Sequence, residues 1–107
     1  MAPLSAPMPL YVVVATIDAA RIGCAIRLAM AQAALGGSAM LYFDEVATAA
    51  LPRTELTEAV AMGVRVIVCQ TGAAVHGVDL STLPPEVEAG GMVSLIAELG
   101  NARLVVV

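Results

Sequence analysis

The sequence predicts an α/β domain with a mainly parallel central sheet and helices on both faces, and three observations carry that expectation. Four short apolar runs recur, at residues 10–15, 39–43, 64–69 and 103–107. None alternates with polar residues, as a strand wetted on one side would; continuous runs of this length suit strands buried on both faces of a parallel sheet. The segments between the runs carry helix start and stop signals. A β-α-β-α order then implies right-handed crossovers.

Taken in order, residues 1–9 hold three prolines and read as a flexible N-terminal tail, leaving 10–107 as a single domain. After the first strand, Asp18 is placed to cap a helix running to about Leu35, with Gly36-Gly37 as its stop signal. That helix is apolar nearly all round, with Asp18, Arg21, Arg27 and Gln32 left to face water. Such a helix is expected to be buried on more than one side. The run 39–43 gives the second strand. Thr54 starts a second helix through Glu55 and Glu58, ending before Gly63. The run 64–69 is the third strand, Met92 to Leu99 the last helix, closed by Gly100, and 103–107 the final strand. A sheet of four to five strands results.

Hydrophobic residues make up 60% of the chain and charged ones 13%, too few charges to cover so small a monomer. Membrane insertion does not explain the excess: the longest apolar stretch, 22–43, is interrupted by Arg27, Gln32 and Gly36-Gly37, short of the roughly 20 clean residues a spanning helix needs. No basic residue precedes the first apolar segment, so the N-terminus does not read as a signal peptide. Burial between subunits, in a homo- or hetero-oligomer, is the expected reason. A net charge of −4, with five scattered arginines and three aromatics, offers no basic stripe for nucleic acid. Cys24 and Cys69 lack metal-ligand spacing, so a reduced, cytoplasmic setting is expected.

Cys69 is the residue on which a functional reading turns. It closes the third apolar run and is followed by Gln70-Thr71-Gly72, so the thiol falls where a buried strand ends and a loop or helix begins. In open α/β sheets ligands bind beyond the carboxyl ends of the strands, and a helix start there favours thiolate. The bland alternative is a strand-end cysteine acting as a small hydrophobe. Gln70, Thr71 and Gly72 would supply polar groups and backbone donors around the sulfur. Cys24, among Gly23, Ala25 and Ile26, reads as inert core or interface filling. His76 is seven residues beyond Cys69, about 10 Å along a helix, too far for direct proton transfer. Thr16 and the pair Asp44-Glu45 follow the first two strands and border the same crevice; helix capping and solvation are expected of the two carboxylates. The loop 15–18 lacks phosphate-cradling glycines, Gly90-Gly91 are weak anion donors on their own, and no Ser-His-Asp, HExxH or CxxC pattern occurs.

The strand ending in Cys69, then Gln70-Thr71, Gly77-Val78-Asp79-Leu80 and Val87-Glu88-Ala89-Gly90-Gly91-Met92, resembles the DsrE/DsrF-like (DsrEFH) sulfur-relay family, closest to its single-cysteine, peroxiredoxin-like branch. The Ala-rich helix ending in a glycine turn and Met40-Leu41-Tyr42-Phe43-Asp44 are similar too, so the resemblance covers about residues 10 to 107. It implies a small three-layer α/β/α domain with a mainly parallel sheet, assembling as trimers, hexamers or mixed oligomers. It also implies a strand-end cysteine, here Cys69, that carries sulfur as a persulfide. One departure is Gly72, where that branch often has serine.

The leading expectation is therefore a sulfur carrier or sulfurtransferase-like protein that holds sulfane sulfur on Cys69 and passes it to a small sulfur-carrier or disulfide-reductase-like partner, without a cofactor or metal. Gln70, Thr71 and Gly72 would position the thiolate, with Thr16 and Asp44 lining the crevice. The alternative is a non-catalytic oligomeric module that binds a small ligand or a partner, with Cys69 structural. A peroxidatic role lacks a resolving cysteine and an arginine beside Cys69.

Overall fold

A computed structural model describes residues 7–107. Five strands form one parallel sheet: β1 Leu10–Val14, β2 Ala39–Phe43, β3 Arg65–Cys69, β4 Glu88–Gly90 and β5 Arg103–Val106, in the order β4-β3-β2-β1-β5. The helices are α1 Ala19–Ala34, α2 Glu55–Ala61, α3 Gln70–Val75 and α4 Met92–Leu99. The four apolar runs are the four long strands. β4, which no apolar run marks, is a three-residue edge strand.

Handedness explains the layers. From β1 to β4 the chain steps one way across the sheet, so right-handed crossovers stack α1, α2 and the segment after α3 on one face. The return from β4 to β5 puts α4 on the other. Period two in each strand divides the side chains accordingly. Val12, Val14, Leu41, Phe43, Val66 and Val68 meet Ile22, Ala25 and Ile26 of α1 and Leu56 and Ala59 of α2. On the opposite face Val13, Met40, Tyr42, Ile67 and Cys69 cluster with Leu95 of α4.

The two covering layers are unequal. α1 runs 16 residues and buries a full stripe, whereas α4 has eight residues and one buried side chain, Leu95. Burying one leucine stabilises by roughly 1.5–3 kcal/mol, and so short a helix is marginal without packing. Met92, Val93 and Ile96 of α4 and Leu104 and Val106 of the β5 edge remain exposed on this side.

Asp18 caps α1 as expected, its carboxylate accepting from the Arg21 N–H at 2.9 Å, and Gly36 ends it at φ +81°. One expectation for α1, that Gln32 faces water, is corrected. Within the chain only one stripe of the helix is buried, Ile22, Ala25, Ile26, Ala29 and Gln32, while Leu28 and Leu35 point outward. Gln32 does not face water. Its amide donates to the Met8 carbonyl at 2.8 Å and the Ser38 carbonyl at 3.3 Å, and its oxygen accepts from the Arg103 guanidinium at 2.7 Å. Arg103 N–H also donates to the Pro9 carbonyl at 2.8 Å, so Met8 and Pro9 are tied to β5 and α1. The rest of the expected N-terminal tail, residues 1–6, lies outside the described residues.

No helix among the described residues is long and apolar enough to cross a membrane.

Candidate functional site

The carboxyl ends of the strands converge as a parallel sheet requires. Cys69 ends β3 in register with Gly90 of β4 and is at once the cap residue of α3, with extended backbone (φ −61°, ψ 117°). Its sulfur takes the part a serine or aspartate oxygen usually plays at a helix start: Sγ accepts from the Gly72 N–H at 3.3 Å. The residue is 9% exposed, so the thiol sits at the border of the core rather than free in solvent.

Gly72 can be nothing larger. A Cβ there would lie 2.7 Å from the Glu45 Cα and carbonyl oxygen and 2.9 Å from Thr48 Oγ1. The first turn of α3 packs backbone to backbone on the 3₁₀ turn Val46–Ala50 that follows β2. That turn is fixed from within, since Thr48 Oγ1 donates to the Glu45 carbonyl at 2.7 Å. The Glu45 side chain, expected to cap, makes no capping bond. Gln70 and Thr71 lie on the exposed outer side of the same α3 turn.

Thr16 and Asp44 follow β1 and β2 at this edge, both half-buried. Thr16 Oγ1 accepts from the Asp18 N–H at 3.0 Å, linking the β1 loop to the start of α1. The Asp44 N–H donates to the Val14 carbonyl at 2.9 Å, carrying the β1–β2 ladder one residue further. Gly91 caps α4 beside β4 with extended backbone. His76 ends α3 and is exposed, a polar helix-end residue rather than a base for the thiol.

Sequence reasoning missed Tyr42. It sits on β2 opposite Ile67, so Cys69, two residues on, lies on the same face one step along the neighbouring strand. Tyr42 is 1% exposed and packs in the same cluster as Cys69. Burial first, then the Cys69 and Asp44 neighbours, holds the phenol well above its ordinary range, so it stays protonated. Of the two places expected for Cys24, core or interface, the core is corrected: it is exposed on α1.

A cleft of about 600 Å³ opens elsewhere, between α2 and residues 82–86, lined by Pro52, Arg53, Thr57, Leu83 and Pro84 among others. Among the described residues no group of three or more His, Cys, Asp or Glu is arranged to hold a metal ion.

No protein-family model matches the chain, and no curated protein sequence matches it. Among solved structures it is similar to the YchN protein of E. coli, at TM-score 0.71 and 23% identity, over 94% of this chain and 98% of that one. The likeness is one of fold: the chain is a three-layer α/β/α domain with a five-stranded parallel sheet.

Proposed function

We propose that this protein carries sulfane sulfur as a persulfide on Cys69 and relays it to a partner protein. The observation that supports this most is the Cys69 sulfur itself, held at the carboxyl edge of a parallel sheet with a backbone N–H at 3.3 Å. The thiolate is the nucleophile in sulfur exchange, and the Gly72 N–H faces the atom that would carry its charge. The chemistry needs no cofactor, since the incoming sulfane sulfur is already at the oxidation level at which it leaves. Gln70 and Thr71, exposed beside the sulfur, are the groups an incoming protein meets first. The partner is a small sulfur-carrier or disulfide-reductase-like protein, and the setting is cytoplasmic.

The chain acts as a homo-oligomer, trimeric or hexameric, or within a mixed one. Support comes from the thin layer on the α4 face, where Val93 is 85% and Val106 65% exposed. Contiguous apolar surface of this kind marks association surfaces.

Loading with a sulfane donor, followed by cyanide, tests the reading. Thiocyanate is expected from the wild-type and Cys24→Ser proteins and not from Cys69→Ser. The Cys24 variant is needed because that thiol is the exposed one. Thiocyanate from Cys69→Ser equal to wild type, or none from wild type, leaves a binding module in which Cys69 is structural.

A further inference from the structure

We propose that α4 is a hinged lid over Cys69, shut in this structure, and that the thiol becomes accessible to a partner when the helix lifts while the sheet stays folded. The alternation of β3 puts Arg65, Ile67 and Cys69 on one face, and α4 lies along that row. At the start of the strand the Arg65 guanidinium donates to the Glu98 carboxylate, near the end of α4, at 2.8 Å. At its finish Cys69 is in register with Gly90, two residues before α4 begins. Arg65 to Cys69 is about 13 Å of strand and Met92 to Glu98 about 9 Å of helix, so the helix spans most of the row. Leu95, midway along it, is buried in the cluster that holds Ile67 and Cys69.

Little holds this helix down. Leu95 is its one buried side chain, and Gly91 at its start offers no side-chain cap. The Arg65–Glu98 pair is open to water, where such pairs contribute little. Eight residues do not sustain a helix without packing. The flanks, by contrast, are anchored. β4 is held by its ladder to β3 and by the Arg65–Glu88 pair, and β5 by its ladder to β1 and the bonds of Arg103 to Pro9 and Gln32. Glycines stand at both joints, Gly90-Gly91 before α4 and Gly100 (φ +56°) after it, where a hinge can absorb its φ/ψ change. Segments with so few buried contacts open well below the free energy of global unfolding. The consequence for sulfur transfer rests on the carrier reading above: shut, the lid keeps solution thiols from sulfur held on Cys69, which is 9% exposed, and open, it admits the partner. The lid itself is read on the bare thiol.

The test is the labelling rate of Cys69, in a Cys24→Ser background, by a bulky maleimide and by the small reagent methyl methanethiosulfonate. One protein concentration is used throughout, so that any subunit contact is common to all variants. Leu95→Ala removes the buried anchor and is expected to speed both reagents about thirtyfold or more. Glu98→Gln removes the ion pair and speeds both by up to about fivefold. Leu56→Ala, equally buried but under α2 on the other face of the sheet, weakens the whole fold without freeing α4 and leaves the rate within about twofold. Leu56→Ala speeding the labelling as much as Leu95→Ala overturns the proposal, because exposure then needs global unfolding. So does an unchanged rate in Leu95→Ala, and so does a gain for the small reagent alone, which is what the alanine cavity would give. If Leu95→Ala does not fold, hydrogen exchange in wild type decides: the amides of residues 96–99 must exchange at least about tenfold faster than those of β2 and β3, and equal protection overturns the proposal. Cyanolysis of the loaded protein reads the carrier step separately. Labelling as expected, with no thiocyanate from wild type, leaves the lid standing and removes the carrier reading.

Discussion

Gly72 lies against Glu45 so closely that a Cβ on the glycine would stand 2.7 Å from both the Cα and the carbonyl oxygen of the glutamate. Those are backbone atoms, held by the 3₁₀ turn, and cannot rotate aside. Gly72→Ala must therefore push α3 away from the turn, moving the amide that Cys69 Sγ accepts from. Overpacking of this kind costs about 1–3 kcal/mol. The expected outcome is a urea midpoint lowered accordingly and a changed rate of Cys69 alkylation. Gly91→Ala is the control: nothing stands within 4 Å of its Cβ and its backbone is extended, so its stability should stay within about 0.5 kcal/mol of wild type.

Gln32 joins four parts of the chain through one amide, which bonds Met8, Ser38 and Arg103. Gln32→Leu keeps the volume and removes three bonds, leaving the Met8 carbonyl with Arg103 alone and the Ser38 carbonyl with the Leu10 N–H alone. The expected loss is roughly 1–3 kcal/mol, read by chemical denaturation. Hydrogen exchange should show β5 opening more often, since Arg103 begins that strand.

Tyr42 predicts an alkaline limit. Its phenol is raised in the folded chain, chiefly by burial, so above the ordinary phenol value of about 10 the native state binds more protons than the unfolded one. Stability is full below that pH and falls as pH climbs through and beyond it. Urea unfolding across an alkaline series is expected to show this decline, and Tyr42→Phe to flatten it.

Accessibility separates the two thiols. A bulky maleimide is expected to label Cys24, exposed on α1, ahead of Cys69 at 9% exposure. Peptide mapping after brief labelling checks it.

Much of the fold was legible because it is written in local signals. The long strands are unbroken apolar runs, and α1 carries both a capping aspartate and a glycine stop. β4 escaped notice because Glu88-Ala89-Gly90 pairs on one side only and needs no apolar pattern. Gln32 reads as water-facing in the sequence because its partner Arg103 is 71 positions away. The apolar sequence neighbours of Cys24 suggest the core, whereas helical spacing sets Ile22, Ala25, Ile26 and Ala29 inward and turns position 24 outward. At the site, Cys69 was visible as the last residue of a strand. Tyr42 was not, because its place beside the thiol depends on the register of two parallel strands joined through α2.

The most direct measurement is the intact mass of the Cys24→Ser protein after exposure to a sulfane donor. A gain of one sulfur atom, absent from the protein that also carries Cys69→Ser, is what a persulfide on Cys69 requires. No gain, or the same gain with Cys69 replaced, contradicts it.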